Sequence, residues 1–298
     1  MELVLYYRTF LESLNKSPHT IKQYCIDGEQ FLIFVQEQNK DLHSNIRTLV
    51  KDYVNHLKAS YTTHTTINRK LSSLKSFLSY IHSRGLIQEL PVEDVQPLKN
   101  NETKIKTLKE HQLKRIIRFW LSIYETSEDP EFRWIALRNF CIVRLIAELS
   151  LKPSELVMLK WTHVKDNIIT IRSRKKIRKL EISSSMMEWF NIYRNETVQM
   201  FPLSNQVDAI WLGVGNKKYS PITVKTIERI FQSISKQLGL KVTATDIRYA
   251  TINKEVVQQA DQQLEIYKQF GYARKSVLKD RLKRFTNNEK IDVDKLLE

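Results

Sequence analysis

Apolar residues recur at helical spacing in two early stretches of the chain. Ser17-Pro18, followed by Ile21, Tyr24, Phe31, Leu32 and Val35, predicts a helix capped by Ser17 with Pro18 in its first turn. A second stripe of Ile67, Leu71, Leu74, Leu78 and Ile81 predicts a helix opened by Thr65 or a neighbouring threonine and stopped by Gly85. Asn68, Arg69, Lys70 and Lys75 fall on its other faces, where a solvated charged surface and a DNA contact fit the periodicity equally well. Between 86 and 106 the pattern is broken by Pro91, Pro97 and Asn100-Asn101, which predicts an interdomain connector with a boundary near residue 103.

Beyond the connector the pattern is mixed. A larger domain opens with Thr107-Leu108-Lys109-Glu110, Arg138 to Leu151 is apolar enough for a buried helix, and Pro153-Ser154-Glu155-Leu156 starts another with Leu156, Leu159 and Trp161 inward. Ile168 to Ile171 and Leu180 to Ile182 read as the arms of a hairpin whose tip, Arg172 to Lys179, is strongly basic. A charge run is most often a solvated turn. Asp208 to Leu212 reads as a strand, and Ser220 to Thr223 as the start of a helix burying Val224, Ile227, Ile230, Phe231, Ile234 and Leu238 while exposing Lys225 and Arg229. Lys217-Lys218 precede that helix, so its N-terminus at Thr223 offers backbone N–H groups and added charge to a phosphate. The expected fold is mainly α with a small β-hairpin in the C-terminal domain.

Charge sharpens this picture. The 298 residues carry a formal net charge of +15, and such a field attracts phosphate polymers and anionic surfaces. The excess sits almost wholly after residue 99, and no amphipathic membrane helix accompanies it, so nucleic acid is the expected partner. The sequence holds no apolar run of spanning length and no signal-peptide pattern, which predicts a cytoplasmic, nucleoid-associated protein without a membrane partner. Its two cysteines, Cys25 and Cys141, lie far apart without metal-ligand spacing, so reduced core thiols are expected, and neither metal nor cofactor.

Several short motifs, in order, resemble the tyrosine recombinase (phage integrase) family. Ser17, Pro18 and Thr20, then Asn68-Arg69-Lys70-Leu71-Ser72, resemble the start and end of its helical core-binding domain. Leu149 to Leu156 stands where the family reads Thr-Gly-Leu-Arg-x-Ser-Glu-Leu, which puts Lys152 at the first arginine. Thr245-Asp246-Ile247-Arg248-Tyr249 resembles the His-x-x-Arg-His box with Arg248 kept and both histidines replaced, by Thr245 and Tyr249. Phe270-Gly271-Tyr272 stands where Leu-Gly-His is usual, and the family's nucleophilic tyrosine falls at Arg281. The nearest aromatic to that position is Phe285, and no tyrosine follows Tyr272.

The resemblance implies a two-domain recombinase fold: a SAM-like helical DNA-binding domain at 1–90, a linker at 91–106 and a catalytic-like domain at 107–298. It implies that a hairpin lysine, Lys175 or Lys176, approaches the scissile phosphate, and that Asn68, Arg69, Lys70, Lys75, Arg172, Arg174, Lys217, Lys218, Thr223, Lys225, Arg229 and Arg248 contact double-stranded DNA held between the domains. Strand transfer requires a phenolic oxygen to attack phosphorus, with cations and imidazoles stabilising charge and moving protons. With Arg281 at the nucleophile position and Lys152 offering a point charge in place of a planar fork, DNA binding without cleavage is expected. Among the family's offshoots the chain looks most like recombinase-like prophage repressors, which implies transcription regulation in lysogeny, a homo-oligomer on DNA and room for a regulatory protein or peptide partner. An integrase with its nucleophile relocated to Tyr267 or Tyr272, and a silent partner subunit of an active recombinase, stay open at this point.

Overall fold

The computed structural model describes residues 2–99, 108–173, 176–258 and 268–271, and the chain divides into units at Met1–Glu102 and Thr103–Glu298. The first unit is a four-helix module of α1 (Glu2–Ser13), α2 (Pro18–Glu37), α3 (Ile46–Ser60) and α4 (His64–Ser83). Sequence periodicity picked out α2 and α4 only. As expected, the Ser17 hydroxyl accepts from the Thr20 backbone N–H at 2.9 Å, with Pro18 next in line. Helix α4 begins after Thr63, whose hydroxyl turns to that of Thr66 and caps no backbone N–H, and it ends before Gly85, whose φ of +72° suits a residue without Cβ. Ser17→Ala is expected to cost about 1 kcal/mol, the usual worth of such a cap, read from denaturant unfolding of the full chain.

Aromatic rings fill the core of this module: Tyr7, Phe31, Tyr53, Phe77 and Tyr80 are each at most 3% exposed. The predicted connector is not polar chain throughout. Ile87 and Val95 join this core, and a single 3₁₀ turn at Val92–Asp94 is held by Arg47 and Lys51 through Asp94.

The second unit is built on α6 (Pro130–Leu149), which is buried nearly all round and packs on α5 (Glu110–Thr126), α8 (Ser184–Met200) and α10 (Ala244–Gln258). The short helix α7 (Pro153–Leu156) completes one turn only. A three-stranded antiparallel sheet follows, formed by β1 (Val164–Lys165), β2 (Ile168–Ser173) and β3 (Lys176–Glu181) in that order. Asp166 and Asn167, with φ of 50° and 59°, make the two-residue β1–β2 turn that matches strand twist. Helix α9 (Val224–Leu238) ends at Gly239, φ +61°.

Three expectations need correcting. The basic stretch 172–179 is not a solvated tip, because β2 and β3 pair right through it, with Arg172 opposite Ile177 and Ile171 opposite Arg178. Asp208 to Leu212 is not a strand but carries two isolated bridges, Lys160 to Ala209 and Leu212 to Pro221. Val224 is 37% exposed and Leu238 only half-buried, since the inward stripe of α9 begins at Ile227.

Candidate nucleic-acid interface

In the N-terminal module the residues of the Asn68-Arg69-Lys70 motif are occupied by the protein itself. The Asn68 amide donates to the Leu98 carbonyl at 2.9 Å and accepts from the Leu98 N–H at 2.8 Å, clamping the connector backbone. Lys70, expected on a polar face, is 5% exposed. Its ammonium donates to Asp27 and Gln30 and lies 5.0 Å from the Tyr61 ring centroid. Arg69 donates through both terminal nitrogens to the same Asp27 carboxylate, and the Ser73 hydroxyl adds a third group at 2.7 Å. Burial pushes the Asp27 carboxyl up, but the donors Arg69, Ser73 and Lys70 outweigh it and hold it below the ordinary range. The DNA contacts expected of Asn68 and Lys70 are therefore not available from these side chains as placed, since both are engaged within the protein. Of this group Arg69, with 38% of its side chain exposed, and the half-buried Lys75 still reach solvent.

The recombinase-like box forms the first turn of α10. Asp246 caps it, accepting from the Thr243 N–H at 2.8 Å and from its hydroxyl at 2.7 Å. That capping places Thr245 on the surface and turns Arg248 and Tyr249 inward, 6% and 5% exposed. The Arg248 Nε donates to the Ser150 carbonyl at 2.7 Å and one terminal nitrogen to the Phe270 carbonyl at 2.8 Å. Ser150 sits in the left-handed region, φ 52°, at the C-cap of α6, which aims its carbonyl at α10. Across this point the Lys152 Nζ donates to the Gly271 carbonyl at 2.8 Å. The structure thus brings Lys152, Arg248 and the 270–271 turn together.

Two members of this cluster carried no expected role. The Glu155 carboxylate caps α7 by accepting from the Lys152 N–H at 3.0 Å, and it takes a bidentate fork from Arg178 at 2.9 and 2.8 Å. Burial raises the Glu155 carboxyl, while Arg178, the Lys152 N–H and the Lys152 charge together bring it below its ordinary value. Arg178 is the inward-facing residue of β3, in phase with Leu180 and opposite the buried Ile171. Strand alternation carries that signal once β3 is extended through the basic run.

The remaining expected cations divide by position. Arg172 and Lys179 lie on the outer face of the hairpin and are exposed. Lys217, Lys218, Thr223, Lys225 and Arg229 are exposed at or near the start of α9, with Lys218 5.5 Å from the Tyr219 ring centroid. The Thr223 N–H meets the Thr226 hydroxyl only loosely, at 3.4 Å. Lys176 belongs to β3, and its side chain, together with Arg174, Lys175, Tyr267, Tyr272 and Arg281, lies outside the described residues. Among the described residues no group of His, Cys, Asp and Glu could hold a metal ion, and no helix is long and apolar enough to cross a membrane.

Residues 3–85 match the phage integrase N-terminal SAM-like domain family. The chain is 25% identical over 257 residues to the tyrosine recombinase XerC of Chlamydia pneumoniae, covering 78% of each protein. It is 26% identical over 174 residues to a tyrosine recombinase of Pseudothermotoga lettingae, covering 55% of this chain and 59% of that one. Across the first curated relatives the matches span from 57 to 78% of the relative's length. Among solved structures, a lambda integrase dimer bound to a COC′ core site superposes with a TM-score of 0.68 at 14% identity, over 98% of this chain and 79% of that one. The XerH site-specific recombinase bound to palindromic difH substrate gives 0.67 at 16% identity, over 92% and 80%. The chain therefore has the two-domain fold of the tyrosine recombinases, with a phage integrase SAM-like domain at residues 3–85.

Proposed function

We propose that this protein binds double-stranded DNA at specific sites without cutting it, and acts as a transcriptional repressor of the prophage type. The observation that carries the reading is the fate of the strand-transfer positions: Thr245, Tyr249 and Arg281 replace the imidazoles and the nucleophile, while exposed cations persist on the hairpin and on α9. Losing one stabilising donor slows such chemistry by about 10²- to 10³-fold, but losing the attacking hydroxyl removes the reaction. What remains on the surface suits backbone phosphate: Arg172 and Lys179 on one strand pair, and Lys217, Lys218, Lys225 and Arg229 around a helix N-terminus whose dipole adds to their charge. Phosphate contacts of this kind fix register on a duplex, and base-edge contacts from the same helix supply sequence preference. The relatives are recombinases, and the duplex in the lambda integrase complex is the partner class this reading assigns.

Incubation with a nicked suicide substrate tests the absence of chemistry. No covalent protein–DNA adduct is expected, and an adduct lost on changing Tyr267 or Tyr272 would establish a relocated nucleophile instead. Affinity for a duplex is expected to fall steeply with salt, with a log–log slope near −0.9 for each phosphate neutralised. The double variant Lys225→Ala/Arg229→Ala is expected to flatten that slope by about 1 to 2; an unaltered slope removes α9 from the interface. Genome-wide footprinting is expected to find repeated promoter sites, whereas occupancy confined to an attachment-like site would favour an integrase.

A further inference from the structure

The connector is fastened to the first unit along its described length. Ile87 and Val95 are buried, Leu90 and Leu98 pack against the same core, and Arg47 and Lys51 hold Glu89 and Asp94 at 3.2 to 3.6 Å. The last hold is made by α4. Asn68 carries its amide to both backbone groups of Leu98, donating to the carbonyl at 2.9 Å and accepting from the N–H at 2.8 Å, and His64 Nδ1 donates to the Lys99 carbonyl at 2.8 Å. A side-chain amide has a donor edge and an acceptor edge, so it pairs with a residue much as a neighbouring strand does. Two side chains of α4 thus fix where the chain leaves the unit.

This geometry gives the Asn68 of the motif a task other than meeting DNA. We propose that Asn68 is a positioning residue: by holding Leu98, with His64 on Lys99, it confines the link between the two units to residues 100–107 and keeps both units at hand for one duplex. The proposal rests on the DNA-binding reading and adds that both units touch the same duplex, the first through Arg69 and Lys75, the second through the hairpin and α9. When two linked modules bind one ligand, the second binds at an effective concentration that falls roughly as the −3/2 power of link length once the link exceeds the span. Release of Leu98 and Lys99 frees the chain back to the fully buried Val95 and lengthens the link by about half, which costs about twofold in affinity. Release back to Ile87 lengthens it about 2.5-fold and costs about fourfold. The Asn68 amide touches no phosphate in this role, so the salt dependence of binding stays as it is.

The test follows binding of the full chain to a labelled mixed-sequence duplex, long enough for both units, by fluorescence anisotropy across a salt series. Asn68→Ala is expected to bind about two- to fourfold more weakly than wild type with the same salt slope. Leu98→Pro removes the N–H that Asn68 accepts while leaving the amide in place, and Leu98→Ala, which keeps that N–H, accounts for the lost side chain. Leu98→Pro is expected to bind more weakly than Leu98→Ala by the factor seen for Asn68→Ala. The double variant Asn68→Ala/Leu98→Pro is expected to bind no more weakly than Leu98→Pro, since both changes open one clamp. An Asn68 that reached DNA itself would be freed by Leu98→Pro, and binding then as tight as that of Leu98→Ala, or tighter, overturns the proposal. Undiminished affinity in Asn68→Ala, or a flattened slope, does the same while leaving DNA binding intact. A wild-type chain that binds no duplex at low salt brings down both readings. Hydrogen exchange in the wild type does not depend on a variant folding: the Leu98 amide is expected to stay protected with and without duplex, and loss of that protection on the duplex shows that the clamp opens and refutes the proposal.

Discussion

Asp27→Ala is expected to destabilise the full chain by about 3 to 5 kcal/mol, the usual penalty for stripping one partner from a buried ion pair. The carboxylate receives Arg69, Lys70 and Ser73 from α4, so its removal unties α2 from α4 at four donor groups. Lys70 suffers most. With 5% of its surface exposed it keeps only Gln30 and the Tyr61 ring, and an ammonium so placed is uncompensated. Denaturant unfolding should show the loss, and hydrogen exchange should localise it to α2 and α4. The double variant Asp27→Leu/Lys70→Met is expected to recover much of it, because an apolar pair of similar size avoids the orphaned charge. A loss below about 1 kcal/mol for Asp27→Ala would mean that the cluster is solvated and that its donors find water.

The same group sets an acid limit. Its folded-state affinity for protons lies below that of an ordinary carboxylate, so the unfolded chain takes up the proton first as pH falls. The stabilisation is thus complete above the unfolded value of about 3.9 and drains away as pH drops through the lower folded value. Asp27→Asn is expected to remove that part of the acid transition, as seen by comparing melting temperatures of variant and wild type between neutral pH and pH 3.

Much of this arrangement was legible in the residue pattern, and what was missed had two causes. Asp27 lies in phase with Tyr24 and Phe31, three and four positions away, and Lys70 and Ser73 lie in phase with Ile67, Leu71 and Leu74. Periodicity therefore puts these polar groups on the inner face, and the assumption that a charged residue points outward overrode it. The hairpin failed in the same way. Ending its arms at Ile171 and Leu180 turned Arg178 into one more cation of a basic tip, whereas pairing through to Ser173 and Lys176 fixes it beside Leu180 on the buried face. Arg248 was recognisable from its box, but its acceptors, the Ser150 and Phe270 carbonyls, lie 98 and 22 residues away along the chain. Local spacing holds no trace of such contacts. Ser17-Pro18 and the glycine stops were readable because each acts within one turn of its own position.

Those carbonyls decide what Arg248→Ala does. The change is expected to cost stability and not phosphate affinity: about 1 to 3 kcal/mol for each buried carbonyl left without its donor, and release of the Phe270-Gly271 turn from α10. Phe270 is 2% exposed, so the released turn also uncovers apolar surface. Arg248→Lys restores one positive charge but cannot reach both carbonyls with a single ammonium, and it is expected to recover less than half of the loss. The decisive measurement is duplex affinity at a temperature where variant and wild type are equally folded. Equal affinity there places Arg248 among the groups that hold the fold, whereas a drop accompanied by a salt slope flatter by about 0.9 would put its guanidinium on the DNA and reopen the pocket as a phosphate site. The guanidinium carries N–H donors beyond the two on the Ser150 and Phe270 carbonyls, so the affinity measurement, and not the hydrogen-bond pattern, separates the two outcomes.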